Sequence, residues 1–219
     1  MIFSSSIAKK QIVAITGFLL ILFIFTHLGG NLFIYAGPDV LNSYAHKLHS
    51  IGPLLLIPRF LLLSIFLVHI FVIHILVIQN IKARGGLKRY AIEQAVGKRT
   101  LSERMILWSG IYILVFVIFH ILDFACCDTQ GPRSFLHGKS YGLYGVVFNS
   151  FTNPVHGLLY IVAVWFLGIH LSHGAKSIIQ TSGFRPKWAH MFQKCSDYFA
   201  LTMAFGFSSI PIYVYWLSH

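Results

Sequence analysis

Six histidines lie inside runs apolar enough for a lipid core: His27 in "FIFTHLGG", His69 and His74 in "FLVHIFVIHIL", His120 in "FVIFHILDF", and His170 and His173 in "FLGIHLSHGAKS". Imidazole relays protons, ligates metals and serves as an axial haem ligand. Ionisable side chains inside a membrane are rare and usually functional. One such histidine is more often structural than a ligand. Four successive runs that each carry at least one are harder to explain that way. The fifth run holds none, His219 lying at the chain end.

The elements that must position these residues are five apolar stretches, roughly 12–35, 56–79, 105–126, 155–176 and 197–217. Each can cross a hydrocarbon core about 30 Å thick at ~1.5 Å per residue. A mean hydropathy of +0.72 with 11% charged residues belongs to a membrane protein rather than a globular one. The expected fold is an all-α bundle of five transmembrane helices, one domain over 1–219. The run after Lys9 and Lys10 is too long for a cleaved leader and suits a first span.

Charge orients the bundle. Thirteen of seventeen basic residues fall before span one, between spans two and three, or between spans four and five; only Lys47, Arg59, Arg133 and Lys139 fall on the other side. The positive-inside rule then puts the N-terminus in the cytoplasm. So basic a chain raises the possibility of nucleic-acid binding, but these charges flank spans and suit anionic lipid or a docked acidic partner. Cys126, Cys127 and Cys195 form no C-x-x-C pair and no covalent haem-attachment motif.

Depth sorts the histidines. His27 and His120 lie 17 and 16 residues beyond Lys10 and Arg104, roughly 25 Å from the inner face. His69 is 13 residues before Lys82 and His170 is 6 before Lys176, roughly 20 and 9 Å from that face. An outer pair, His27 with His120, and a less well matched inner pair, His69 with His170, result. Zinc wants three or four protein ligands, and no carboxylate or thiolate lies at these depths. A b-type haem needs two axial imidazoles and an apolar, aromatic slot, which twenty phenylalanines and nearby glycines can line. Two haems stacked across a bilayer make an electron path. The alternative on the residues alone is a transporter with proton-relay histidines.

The stretches "TGFLLILFIFTHLGGNL", "LNSYAHKLHSIGP", "HIFVIHILVIQNIKARGGLKRYA", "FHILDF" and "LGIHLSHGAKSIIQTSGF" resemble the single-chain, dihaem cytochrome b subunit (b558 type) of succinate:quinone and quinol:fumarate oxidoreductases. The likeness runs over nearly the whole chain. It implies two haems b, with His27 and His120 as axial ligands of the outer haem and His69 and His170 of the inner one. His69 is chosen over His74 because the family's ligand stands eleven residues before the asparagine of "NIKAR". His170 is chosen over His173 as the first histidine of the "H-L-x-H-G" motif, with His173 near a propionate.

The resemblance further implies a bacterial cytoplasmic membrane, quinone (menaquinone) as the reactant, and a flavoprotein and an iron–sulfur subunit at the cytoplasmic face, where dicarboxylate chemistry resides. Some quinol:fumarate reductases carry a glutamate two residues before the inner-haem histidine; here that position is Gly168. A quinone site needs a hydrogen-bond donor and a proton-exchanging group. Candidates for quinone or propionate contacts are Asn31, Tyr44, His46, His49 and Arg59 on the outer side, with Arg84 and Arg104 on the inner side. His137 and His156 carry no assigned role. A nitrate-reductase-type cytochrome b, with ligands near spans two and five, is disfavoured by the histidine-free fifth span.

Overall fold

A computed structural model describes residues 5–83, 101–181, 183 and 189–219, apart from the side chains of 83, 101–104 and 189. Five of its helices are long and apolar enough to cross a membrane. These are α1 (Ser6–Asn31), α3 (Leu56–Ala83), α4 (Leu101–His120), α6 (Pro154–Thr181) and α7 (Ala189–Ser218), with shorter helices α2 (Pro38–His49) and α5 (Gly142–Phe151) between them.

Local chemistry sets the helix starts. Ser5 caps α1 by accepting from the Ala8 amide. Asn153 Oδ1 accepts from the Val155 and His156 amides at 3.0 and 3.3 Å, with Pro154 at the first helical position. Gly37, at φ 91°, turns the chain into α2, which opens on Pro38. Most helices outrun the apolar stretches that announced them, α7 by eight residues at its start, because a helix continues until its backbone is broken rather than until its side chains become polar.

The core lies between α6 and α7. Their spans bury 33% and 39% of their residues, against 6–11% for the other three. Gly168 is the closest approach: a Cβ there would sit 3.1 Å from Ala204 Cβ and 3.3 Å from the Ala200 carbonyl oxygen. Helix α1 packs on α3, α6 and α7, and α4 on α6. In the resulting open ring the order is α3, α1, α6, α4, its ends α3 and α4 having little direct packing, with α7 covering the α1–α6 side. The pairs α1/α4 and α3/α6 lie across the ring and have little direct packing between them. The outward faces are apolar and exposed, as at Phe60, Trp108 and Trp216.

One end of the bundle, where α1 begins, is basic; there Ser172 and Lys176 of α6 both bond Asp197 of α7, at 2.5 and 2.6 Å. The far end carries a cap invisible to a hydropathy reading. Phe135–Leu136 pairs antiparallel with Lys139–Ser140 through a two-residue turn with positive φ at His137 (49°) and Gly138 (81°). Asn42 ties α2 to this cap, donating to the Tyr141 carbonyl at 2.8 Å and accepting from the Tyr144 amide at 3.1 Å.

Candidate functional site

His27 of α1 and His120 of α4 face each other across the ring, with imidazole centroids 5.7 Å apart and planes at 86°. Phe23 stacks on His27 at 5.3 Å, and Phe207 of α7 closes its other side at 6.0 Å. His120 sits among Phe116, Phe124 and Tyr160. Its Nδ1 is buried without a hydrogen-bond partner. The α-helix stops at His120 and the next five residues, Ile121–Ala125, form a π turn, a distortion frequent at functional sites. At about 2 Å per metal–nitrogen bond, two imidazoles on opposite sides of one ion hold their centroids about 6 Å apart. The His27–His120 separation is of the size two imidazoles sharing one metal ion would show, and aromatic rings pack against both.

His69 of α3 and His170 of α6 form the second level. His69 Nδ1 lies 3.0 Å from Thr16 Oγ1 on α1, and His170 Nδ1 lies 3.3 Å from Ser109 Oγ on α4. The glycines that follow, Gly17 and Gly110, let each imidazole lie against the neighbouring helix: an added Cβ would be 3.4 Å from His69 Cε1 and 3.6 Å from His170 Cε1. His170 also lies within electrostatic reach of His69 and His173. Thr16 precedes His27, and Ser109 precedes His120, by the same eleven residues, three turns and roughly 16 Å. This equality puts His69 and His170 at one depth. Lys176 lies inside α6 and pairs with Asp197 at 2.6 Å, so its place in the sequence is a poor ruler of depth.

Thr16, Ser109 and Gly110 were missed by a reading centred on imidazoles, whereas Gly17 was among the small residues expected to line the slot. The signal was present as "TG" and "SG" at equal spacing before His27 and His120.

A polar cluster beside His120 was also missed. Asp123 Oδ2 accepts from the Tyr160 hydroxyl at 2.7 Å. His156 Nε2 lies 3.3 Å from the same oxygen, off the line of a hydrogen bond. Arg133 donates to the Asp123 carbonyl at 3.2 Å and to Ser150 Oγ at 2.6 Å. Burial raises the Cys127 thiol above its ordinary range next to this cluster, Arg133 opposing the shift.

The remaining candidates separate. Tyr44 reaches α1, its ring so close to Gly30 that any Cβ there would collide with it, and it packs on Phe33 at 5.0 Å. Asn31 Nδ2 donates to the His27 carbonyl at 2.7 Å, a bond within α1. His46 and Lys47 line a shallow hollow of about 380 Å³ with Asn42 and Ser43. His46, His49 and Arg59 are exposed. His173 is half-buried on α6, and His74 is exposed on the apolar outer face of α3. Arg84 and the Arg104 side chain lie outside the described residues.

Among the described residues, no three His, Cys, Asp or Glu side chains converge as a metal site; the imidazoles come in twos. No family model, curated protein or solved structure matches the chain.

Proposed function

We propose that this chain is a dihaem cytochrome b: the membrane anchor and quinone-reactive subunit of a succinate:quinone or quinol:fumarate oxidoreductase in a bacterial cytoplasmic membrane. The observation that carries the reading is the opposition of His27 and His120 across two helices that scarcely pack on each other. The second pair, His69 and His170, lies three turns away on α3 and α6.

In this reading His27 and His120 hold one haem b and His69 and His170 the other. The haems supply one-electron transfer between quinone and the partner subunits. The chain contributes the rest. Phe23, Phe116, Phe124 and Phe207 exclude water from the His27–His120 level. Asp123 Oδ2 holds the Tyr160 hydroxyl hydrogen beside His120, a polar pair that supports proton exchange with quinone at this level. The N-terminus faces the cytoplasm, and the basic end meets a flavoprotein and an iron–sulfur subunit. Menaquinone is the expected quinone.

The test is haem content of the purified chain, by pyridine haemochrome against quantitative amino-acid analysis. Two protohaems per chain are expected. None, from protein made with ample haem, would move a proton-coupled transporter ahead, and substrate flux in liposomes would then be the measurement.

A further inference from the structure

The two histidines of the second level share a feature that their identity as ligands does not require. Thr16 Oγ1 has one hydrogen, and it is committed to its own helix, toward the Ile12 carbonyl at 2.8 Å and the Val13 carbonyl at 3.2 Å. Ser109 Oγ likewise donates to the Ile106 carbonyl at 3.0 Å. A hydroxyl whose hydrogen is spent can only accept from the next polar group it meets. That group is Nδ1 of His69 in one case and Nδ1 of His170 in the other. The carbonyls of Val13 and Ile106 face the same two imidazoles, and a carbonyl also only accepts. With each hydroxyl hydrogen given to a carbonyl of its own helix, both rings then carry their hydrogen on Nδ1. The lone pair is left on Nε2, away from the Thr16 and Ser109 hydroxyls.

We propose that Thr16 and Ser109 are paired positioning residues: each fixes its histidine as the Nδ1–H tautomer and so leaves Nε2 as the nitrogen that would hold the haem iron. The inference rests on the dihaem reading. Neither residue touches the bound group, and each acts through its histidine. At the first level, His120 Nδ1 has no hydrogen-bond partner among the described residues. A hydrogen bond donated from Nδ1–H makes an imidazole a more basic ligand, which favours the ferric state. Removing the acceptor raises the reduction potential of that haem alone.

The experiment uses the full chain carrying Thr16→Val, Ser109→Ala or both. Redox titration is followed optically, and low-temperature electron paramagnetic resonance reads the ligand field. The relevant haem is the one lost in His69→Ala. Its midpoint is expected to rise in each single variant and further in the double variant, with its resonance position shifted and the other haem unmoved. Thr16→Ser, which restores the acceptor, returns the midpoint toward that of the parent. If Thr16→Val loses haem, Thr16→Ala and Ser109→Ala carry the same comparison. Two bound haems with unmoved midpoints and resonances in all hydroxyl-free variants would overturn the proposal and leave the dihaem reading standing. A parent chain that binds no haem would overturn the dihaem reading, and with it this proposal.

Discussion

His27 and His120 stand 5.7 Å apart, centroid to centroid, with their rings perpendicular, although α1 and α4 are opposite members of the ring. The imidazoles are thus the contact between those helices. His27→Ala or His120→Ala is expected to remove one of two spectral haems and leave the other. Because Phe23, Phe116 and Tyr160 pack on these rings, each variant also leaves a cavity costing about 2–4 kcal/mol. Reduced-minus-oxidised spectra of the two variants check this: loss of different haems would break the pairing.

Gly168 has no room for a side chain, because α7 lies against it at Ala200 and Ala204. Gly168→Glu is therefore expected to destabilise the α6–α7 contact. Overpacking alone costs about 1–3 kcal/mol, and an unpaired carboxylate between two helices adds to it. Gly168→Ala, whose Cβ would sit 3.1 Å from Ala204 Cβ and 3.3 Å from the Ala200 carbonyl oxygen, falls between the parent and Gly168→Glu. Thermal unfolding in detergent should rank the three in that order. An unaltered Gly168→Glu midpoint would show that α7 is free to move away from α6.

Much of this architecture was legible because a lipid-spanning helix declares itself by length and apolarity alone. The runs holding His27, His69, His120 and His170 needed no further signal. What stayed hidden depended on contacts between helices. Thr16 reads as a neutral residue until α3 brings His69 to it, and Tyr160 as an aromatic filler until α4 brings Asp123 within 2.7 Å. Lys176 misled for a related reason: a lysine near the end of an apolar run marks a membrane boundary only when its charge faces water, and here Asp197 takes it. The hairpin at Phe135–Ser140 escaped because two residues per strand are too few for an alternating pattern.

The cysteines test orientation. Cys126 is exposed at the far end and Cys195 is exposed near the start of α7, at the basic end. With the N-terminus cytoplasmic, a membrane-impermeant maleimide should label Cys126 on intact spheroplasts and Cys195 only after permeabilisation. The reverse pattern would invert the assignment. Cys127 should lag. Burial raises its thiol pKa, so less thiolate is present at neutral pH than for an ordinary thiol, and its rate keeps climbing into more alkaline solution. Mass spectrometry of labelled peptides from a Cys126→Ser variant, from pH 7 to 10, follows that rise.

Lys9 is 1% exposed, and among the described residues the bond shown from its Nζ is to Gln79 Oε1 on α3, at 2.6 Å. A buried donor that loses its acceptor costs more than a donor and acceptor replaced together. Gln79→Leu should therefore destabilise the α1–α3 contact by about 1–3 kcal/mol. The double variant Lys9→Met with Gln79→Leu, which removes both polar partners and keeps the volume, should recover most of that loss. Intrinsic-fluorescence unfolding of the detergent-solubilised chain gives the comparison. A double variant no more stable than Gln79→Leu alone would mean that the Lys9 ammonium itself, and not its bond to Gln79, anchors the start of α1.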